Sequence, residues 1–186
     1  HDTTALTLTY ACYLLSEHSA AEERFHAELD AVLDGSPTFA NVRELTYLDR
    51  VLQETMRLYP PVYAMFREPL VDVKLGGYRI PAGAAVMCPQ WAVHRSPRWW
   101  DEPERFDPDR WERDRAAGRP RFAHFPFGGG PRHCIGKQFS LLEAKLILAT
   151  IGREFRLDYL GNGALDLQGS LTMHPENGMP MRVERR

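Results

Sequence analysis

Apolar residues run almost without interruption through residues 3–15 (TTALTLTYACYLL). A segment with no polar face predicts a helix buried on all sides rather than one lying on a surface. Ser19-Ala20-Ala21-Glu22 has the form of a capping box, in which the Ser and Glu side chains bond free N–H groups. Phe25, Leu29 and Val32 then recur at helical spacing until Gly35-Ser36-Pro37. A further helix is expected from about Thr46, opened by a capping box from Thr46 to Asp49. Its stripe is Leu48, Val51 or Leu52, and Met56 or Tyr59, and Pro60-Pro61 ends it by removing donors and clashing with the preceding turn.

The period then changes. Val71 to Leu75 alternates, Gly76-Gly77 turns, and Tyr78-Arg79-Ile80 returns as a hairpin partner, with Ala84 to Cys88 a further short strand. Residues 96–131 are dense in Pro, Gly, Asp, Arg and Trp and nearly aperiodic; so long a loop in a compact domain is usually functional. From Ile135 to about Arg153 a long helix is expected, with Phe139, Leu142, Leu146 and Ala149 on one face. Short strands joined by Gly-Asn-Gly and Pro-Glu-Asn-Gly turns complete the chain to Arg186. The expected class is α+β, mostly helical, with small sheets around a long ordered loop.

Composition removes several functions. With 23 basic and 25 acidic side chains in 186 residues the net charge is −2, which supplies no field to recruit nucleic acid. No uncharged apolar run reaches the length of a membrane span. Three cysteines, with no C-x-x-C pair, argue against a disulfide framework or a Cys-rich zinc site.

The chemistry concentrates in Phe125-Pro126-Phe127-Gly128-Gly129-Gly130-Pro131-Arg132-His133-Cys134-Ile135-Gly136. A thiolate ligand must be stabilised as the anion, and Cys134 precedes a long helix whose free N–H groups and dipole favour negative charge. The glycines permit tight turns that aim further N–H groups at the sulfur. Arg132 is a fixed cation suited to a carboxylate. Gly136 leaves room for a flat group to approach the backbone. A buried inert thiol, a phosphate loop, or a zinc site using His124, His133 and Cys134 are the competing readings. The loop lacks the Gly-Lys-Ser/Thr ending of a nucleotide site, and further zinc ligands are not apparent.

This segment fits F-x-x-G-x-R-x-C-x-G at every fixed position and resembles the haem-binding loop of the cytochromes P-450. The resemblance implies Cys134 as the axial thiolate of haem b iron, Phe127 packed near the sulfur, Gly128 and Gly136 at the cofactor, and Arg132 paired with a propionate. E-x-x-R occurs three times, at Glu54/Arg57, Glu102/Arg105 and Glu112/Arg115. Only the first lies in a convincing helix and runs into Leu-Tyr-Pro-Pro, as in the family. By resemblance, Glu54, Arg57 and the Arg105 of Pro103-Glu104-Arg105-Phe106 form a buried ionic triad. Arg67 is expected at a haem propionate, and His94 resembles a structural, hydrogen-bonding histidine.

The opening Asp2-Thr3-Thr4 resembles the end of A-G-x-D-T-T, the acid and alcohol that relay protons to bound dioxygen. Tyr63, Ala64, Met65 and Phe66, with Leu171 and Thr172 at a late hairpin tip, would line a mostly apolar substrate pocket. The implied activity is haem-thiolate monooxygenation: one oxygen atom of O2 enters a lipophilic substrate, with electrons from NAD(P)H through a reductase or ferredoxin. A peroxide-dependent haem-thiolate enzyme and a non-catalytic haem-binding fragment are the alternatives. The start at His1 without an initiator Met, in a family of much longer chains, leads to three expectations. Residues 1–186 form the C-terminal part of the family domain. This chain alone binds haem weakly and does not turn over. The protein is cytoplasmic unless an N-terminal anchor precedes it.

Overall fold

The computed structural model describes residues 1–186. Its helices are α1 (Asp2–Ser16), α2 (Ser19–Val32), α3 (Thr46–Leu58), two single-turn helices α4 (Gln90–Val93) and α5 (Arg113–Ala116), and α6 (Lys137–Glu154). Four antiparallel strand pairs surround them. These are β1 (Met65–Arg67) with β4 (Val86–Cys88), β2 (Val73–Leu75) with β3 (Tyr78–Ile80), β5 (Phe155–Tyr159) with β8 (Met181–Arg185), and β6 (Leu167–Gly169) with β7 (Met173–Pro175). This is the α+β architecture that the pattern implies. No helix is long and apolar enough to cross a membrane.

The core forms where α1, α2, α3 and α6 meet. Leu14, Phe25, Leu29, Leu48, Leu52 and Leu148 are each at most 3% exposed there. Burying one such side chain contributes about 1.5–3 kcal/mol, so this cluster dominates the stability of the fold. The α1 segment is buried on most of its circumference, as its all-round apolar sequence requires.

Three local expectations fail for tertiary reasons. Ser19 does not cap α2; His18 precedes the helix, and Glu22 turns into the protein to pair with Arg156 across 3.2 Å. Thr46 does not cap α3 either. The Glu28 carboxylate of α2 accepts from the backbone N–H of Tyr47 at 2.6 Å and of Leu48 at 2.8 Å, while Asp49 pairs with Lys145. A carboxylate on two first-turn amides satisfies orphan donors and meets the positive end of the helix dipole. It also joins α2 to α3, which a local cap would not do. On α6 the buried positions are Ala144, Leu148, Ala149 and Gly152, and Phe139 is 71% exposed. The first two turns of α6 extend beyond the helix pack, so Phe139 flanks a cleft instead of joining the core.

Gly152 lies where α6 packs tightly against α2. A Cβ there would overlap the buried Phe25 ring and stand 3.1 Å from Leu29 Cδ1. Gly152→Ala gains about 1 kcal/mol of helix propensity but forces a packed aromatic aside, which costs about 1–3 kcal/mol. The net expectation is a lower urea midpoint; an unchanged or higher midpoint would show that the helices separate freely.

Candidate functional site

Glu54 and Arg57 lie one turn apart on α3, and both are fully buried. Arg57 Nε and Nη2 donate to the two Glu54 oxygens at 2.8 Å each, a bidentate pair. Its remaining donors go to the carbonyls of His94 (3.0 Å), Pro103 (2.6 Å) and Arg105 (3.0 Å), so every guanidinium N–H is satisfied. Glu54 in turn accepts from the Asp107 N–H at 3.0 Å, Arg110 Nε at 3.1 Å and Trp111 Nε1 at 3.0 Å.

The third member of the ionic triad is therefore Arg110, and the expectation for Arg105 is corrected. The Arg105 side chain is 62% exposed and pairs with Glu102, and only its carbonyl reaches the buried site. Its neighbour Phe106 fills a core position instead. The pattern Pro-x-Arg-aromatic occurs a second time, at Pro108-Asp109-Arg110-Trp111. There Asp107 caps a single 3-10 turn by accepting from the Asp109 N–H, and that turn aims Arg110 inward. Glu102, at φ +44°, turns its carbonyl onto Arg110 Nη2 at 2.7 Å. A left-handed Glu is strained, and it persists because the buried guanidinium needs that acceptor. The repeated pattern is the signal that would have identified Arg110.

The cysteine loop closes against β1 and a 3-10 turn. Gly128 and Gly130 both sit at φ +71°, where a side chain would be strained. A Cβ on Gly129 would come within 2.5 Å of the Phe122 ring. The Cys134 N–H donates to the Phe127 carbonyl at 2.9 Å, and the thiol itself is exposed with no protein partner. Gly136 precedes α6 as its N-cap, and a Cβ there would lie 3.8 Å from Cys134 Sγ.

The thiol opens into a cleft of about 430 Å³. Phe127, Arg132, Cys134 and Gly136 line it on the loop side; Thr3, Thr4 and Thr7 of α1 line it too, with Met56, Pro61, Val62 and Met65 among its apolar walls. Thr4 and Thr7 are buried, Thr3 is open to the cleft, and the Thr7 hydroxyl donates to the Thr3 carbonyl at 2.9 Å. Arg132 is exposed and makes no ion pair within the protein. No cluster of three metal-ligating side chains gathers anywhere, so Cys134 stands as a lone thiol donor.

Several expected site residues are placed elsewhere. Asp2 is off the cleft wall, 74% exposed and paired with His1. Arg67 is exposed at the end of β1, where Nη1 donates to the Phe66 carbonyl at 2.8 Å. Of the expected pocket residues, Met65 reaches the cleft. Tyr63 and Ala64 do not line it, Phe66 is 62% exposed, and Leu171 is 91% exposed with Thr172 at the β6–β7 tip. Strand β1 spans only three residues, and its pairing with β4 turns alternate side chains away from the cleft. Gly128 packs beside Met65 Sδ, behind the cleft wall.

The cytochrome P-450 family model matches residues 1–180. The chain belongs to this family. Among its relatives, cyclooctat-9-en-7-ol 5-monooxygenase of Streptomyces melanosporofaciens is 43% identical over 84% of the chain and 34% of its own length. Cytochrome P-450 4V2 of Rattus norvegicus is 37% identical over 100% of the chain and 36% of its own length. Chloroplastic carotene epsilon-monooxygenase of Arabidopsis thaliana is 36% identical over 100% of the chain and 35% of its own length. This cytochrome P-450 chain thus spans about a third of the length of these relatives.

Its histidines give the fold an acid limit. His94 is fully buried, and its Nε2 accepts from the Phe125 N–H at 2.9 Å, so it must be neutral. Burial lowers its pKa to about 3. Burial likewise lowers His26 to about 4 and holds His124 well below its ordinary value. Depressed histidines contribute stability that is fully present above their unfolded pKa of about 6.5 and lost as pH falls towards the folded values. The urea midpoint is therefore expected to be flat above about pH 7 and to fall steadily below about pH 6.5, with His26→Gln making the fall shallower. Asp109 and Asp158, held low by Arg24 and Arg182, add to the loss only in the acid range of carboxylates. A midpoint independent of pH between 7 and 5 would contradict the buried neutral histidines.

Proposed function

We propose that the protein is a haem-thiolate monooxygenase acting on a lipophilic substrate. The observation that carries this reading is the unpartnered thiol of Cys134, open to an apolar cleft that α1 lines with threonines. The residues fit haem. A lone thiol suits an axial ligand, the unpaired Arg132 guanidinium suits a propionate, and Gly136 keeps the loop wall free of a side chain. Bound there, haem supplies the iron centre at which dioxygen is activated.

The chain's own residues supply the rest. Cys134 would hold the iron through its open thiol, and Phe127 lines the cleft on the same side. Arg132 fixes the rim of the cofactor by charge. Thr3 offers a hydroxyl on the cleft wall that passes protons from water to the reacting oxygen. Asp2, at the solvent end of α1, exchanges protons with bulk water rather than touching the reacting atoms. Substrate C–H, O2, two electrons and two protons then give the alcohol and water. The electrons come from NAD(P)H through a reductase or ferredoxin partner.

Met56, Pro61, Val62 and Met65 favour a largely hydrocarbon substrate. This agrees with relatives named for cyclooctat-9-en-7-ol and carotene. The test is turnover of the complete protein with NADPH and an electron donor, compared with turnover driven by peroxide. Thr3→Ala is expected to lower product formed per NADPH by about tenfold or more while oxygen consumption continues. Turnover driven by peroxide alone, unaffected by Thr3→Ala, would instead assign a peroxide-dependent enzyme.

A further inference from the structure

The cysteine loop is tied to the buried Glu54–Arg57 pair through a route outside the loop itself. Arg57 donates to the carbonyl of His94 at 3.0 Å. The His94 ring accepts from the Phe125 N–H at 2.9 Å. One helical turn earlier, Gln90 Nε2 donates to the Phe125 carbonyl at 2.8 Å, and Gln90 and His94 are both fully buried. The same carbonyl accepts from the Gly128 N–H at 2.8 Å, closing the turn that leads to Phe127. The Phe127 carbonyl then receives the Cys134 N–H. Every link from α3 to the backbone of the ligand residue is thus a hydrogen bond or a single peptide segment.

We infer that Gln90 and His94 are positioning residues for the cysteine ligand: together they grip both backbone polar groups of Phe125 and set the height of the loop at the cleft. This rests on the haem-thiolate reading for its purpose but not for its geometry. Two side chains four residues apart face the same way on a helical turn, so α4 and its C-cap His94 act as a two-point clamp. Loss of His94 leaves the Phe125 N–H without its acceptor, and loss of Gln90 leaves the Phe125 carbonyl with the Gly128 N–H alone, so either change loosens the loop. A loop moved by even part of an ångström carries the sulfur off the axial position that haem ligation demands.

Amide hydrogen exchange of the cofactor-free protein tests the clamp directly. In Gln90→Met, which keeps shape but removes the donor, and in His94→Leu, exchange at Phe125, Gly128 and Cys134 is expected to rise about tenfold, the equivalent of one lost hydrogen bond. His94→Gln restores an acceptor and is expected to recover most of that protection. Gly152→Ala, destabilised in the distant helix pack, serves as the control and should raise exchange across the fold without favouring the loop. In the complete protein, haem-loaded Gln90→Met should also show a smaller fraction of the thiolate absorption band in its reduced carbon-monoxide complex. Loop amides that exchange in Gln90→Met as they do in the control, or an unchanged thiolate fraction, would overturn the inference. A complete wild-type protein that lacks the thiolate band but shows the exchange pattern would refute the haem reading and leave the clamp standing.

Discussion

Glu54→Ala is expected to cost about 3–5 kcal/mol, the largest loss of any single substitution in this chain. The carboxylate is fully buried and is the sole anion in contact with Arg57 and Arg110, themselves buried. Its removal leaves two guanidinium groups uncompensated and also strips the Asp107 N–H and Trp111 Nε1 of their acceptor. Against a total stability of about 5–15 kcal/mol, such a loss brings the protein close to unfolding. Arg110→Ala is expected to cost less, about 2–3 kcal/mol, because Glu54 keeps Arg57 as its counter-charge while the Glu102 carbonyl loses its buried donor. Arg105→Ala should stay within about 0.5 kcal/mol, since it removes only an exposed pair with Glu102. Urea unfolding of the three variants without haem separates the cases. Equal losses in Arg105→Ala and Arg110→Ala would invalidate the assignment of Arg110.

Cys134→Ser is expected to do the reverse, sparing the fold while abolishing the chemistry. The thiol is exposed and without a protein partner, so the cofactor-free protein should unfold within about 0.5 kcal/mol of the wild type. If this sulfur is the proposed ligand, its loss should lower turnover or haem affinity of the complete protein by more than about 100-fold, since even outer-shell partners of metal ligands are worth 10–100-fold. The reduced carbon-monoxide complex should lose its thiolate absorption band. A retained band in Cys134→Ser would rule out this sulfur as the ligand. Together the two substitutions separate a residue that serves the fold from the one proposed to hold the cofactor, although both belong to motifs of one family.

The helices were legible because their apolar periods report directly on the core that α1, α2, α3 and α6 share. Cys134 and the Glu54–Arg57 pair were legible because each lies in a short continuous motif. Long-range choices were not. Ser19 and Thr46 satisfy every local rule for a cap, yet Arg156 draws Glu22 away and Glu28 reaches α3 from another helix. Arg105 and Arg110 sit in near-identical quartets, and only the 3-10 turn begun at Asp107 decides which one points inward. The cleft walls were partly missed because three-residue strands carry too short an alternation to reveal which face is turned to the site. Gln90 gave no signal at all: its role depends on a carbonyl 35 positions away.

Arg57 binds one side chain on its own helix and three carbonyls, at positions 94, 103 and 105. No single one of these contacts can open while the guanidinium stays buried and solvated by the others. The stretch from His94 to Trp111, which has almost no regular secondary structure, therefore belongs to the same cooperative unfolding unit as α3. An irregular segment anchored in this way has the opening energy of a helix, and sites of easy proteolysis should lie elsewhere, in the exposed β2–β3 hairpin.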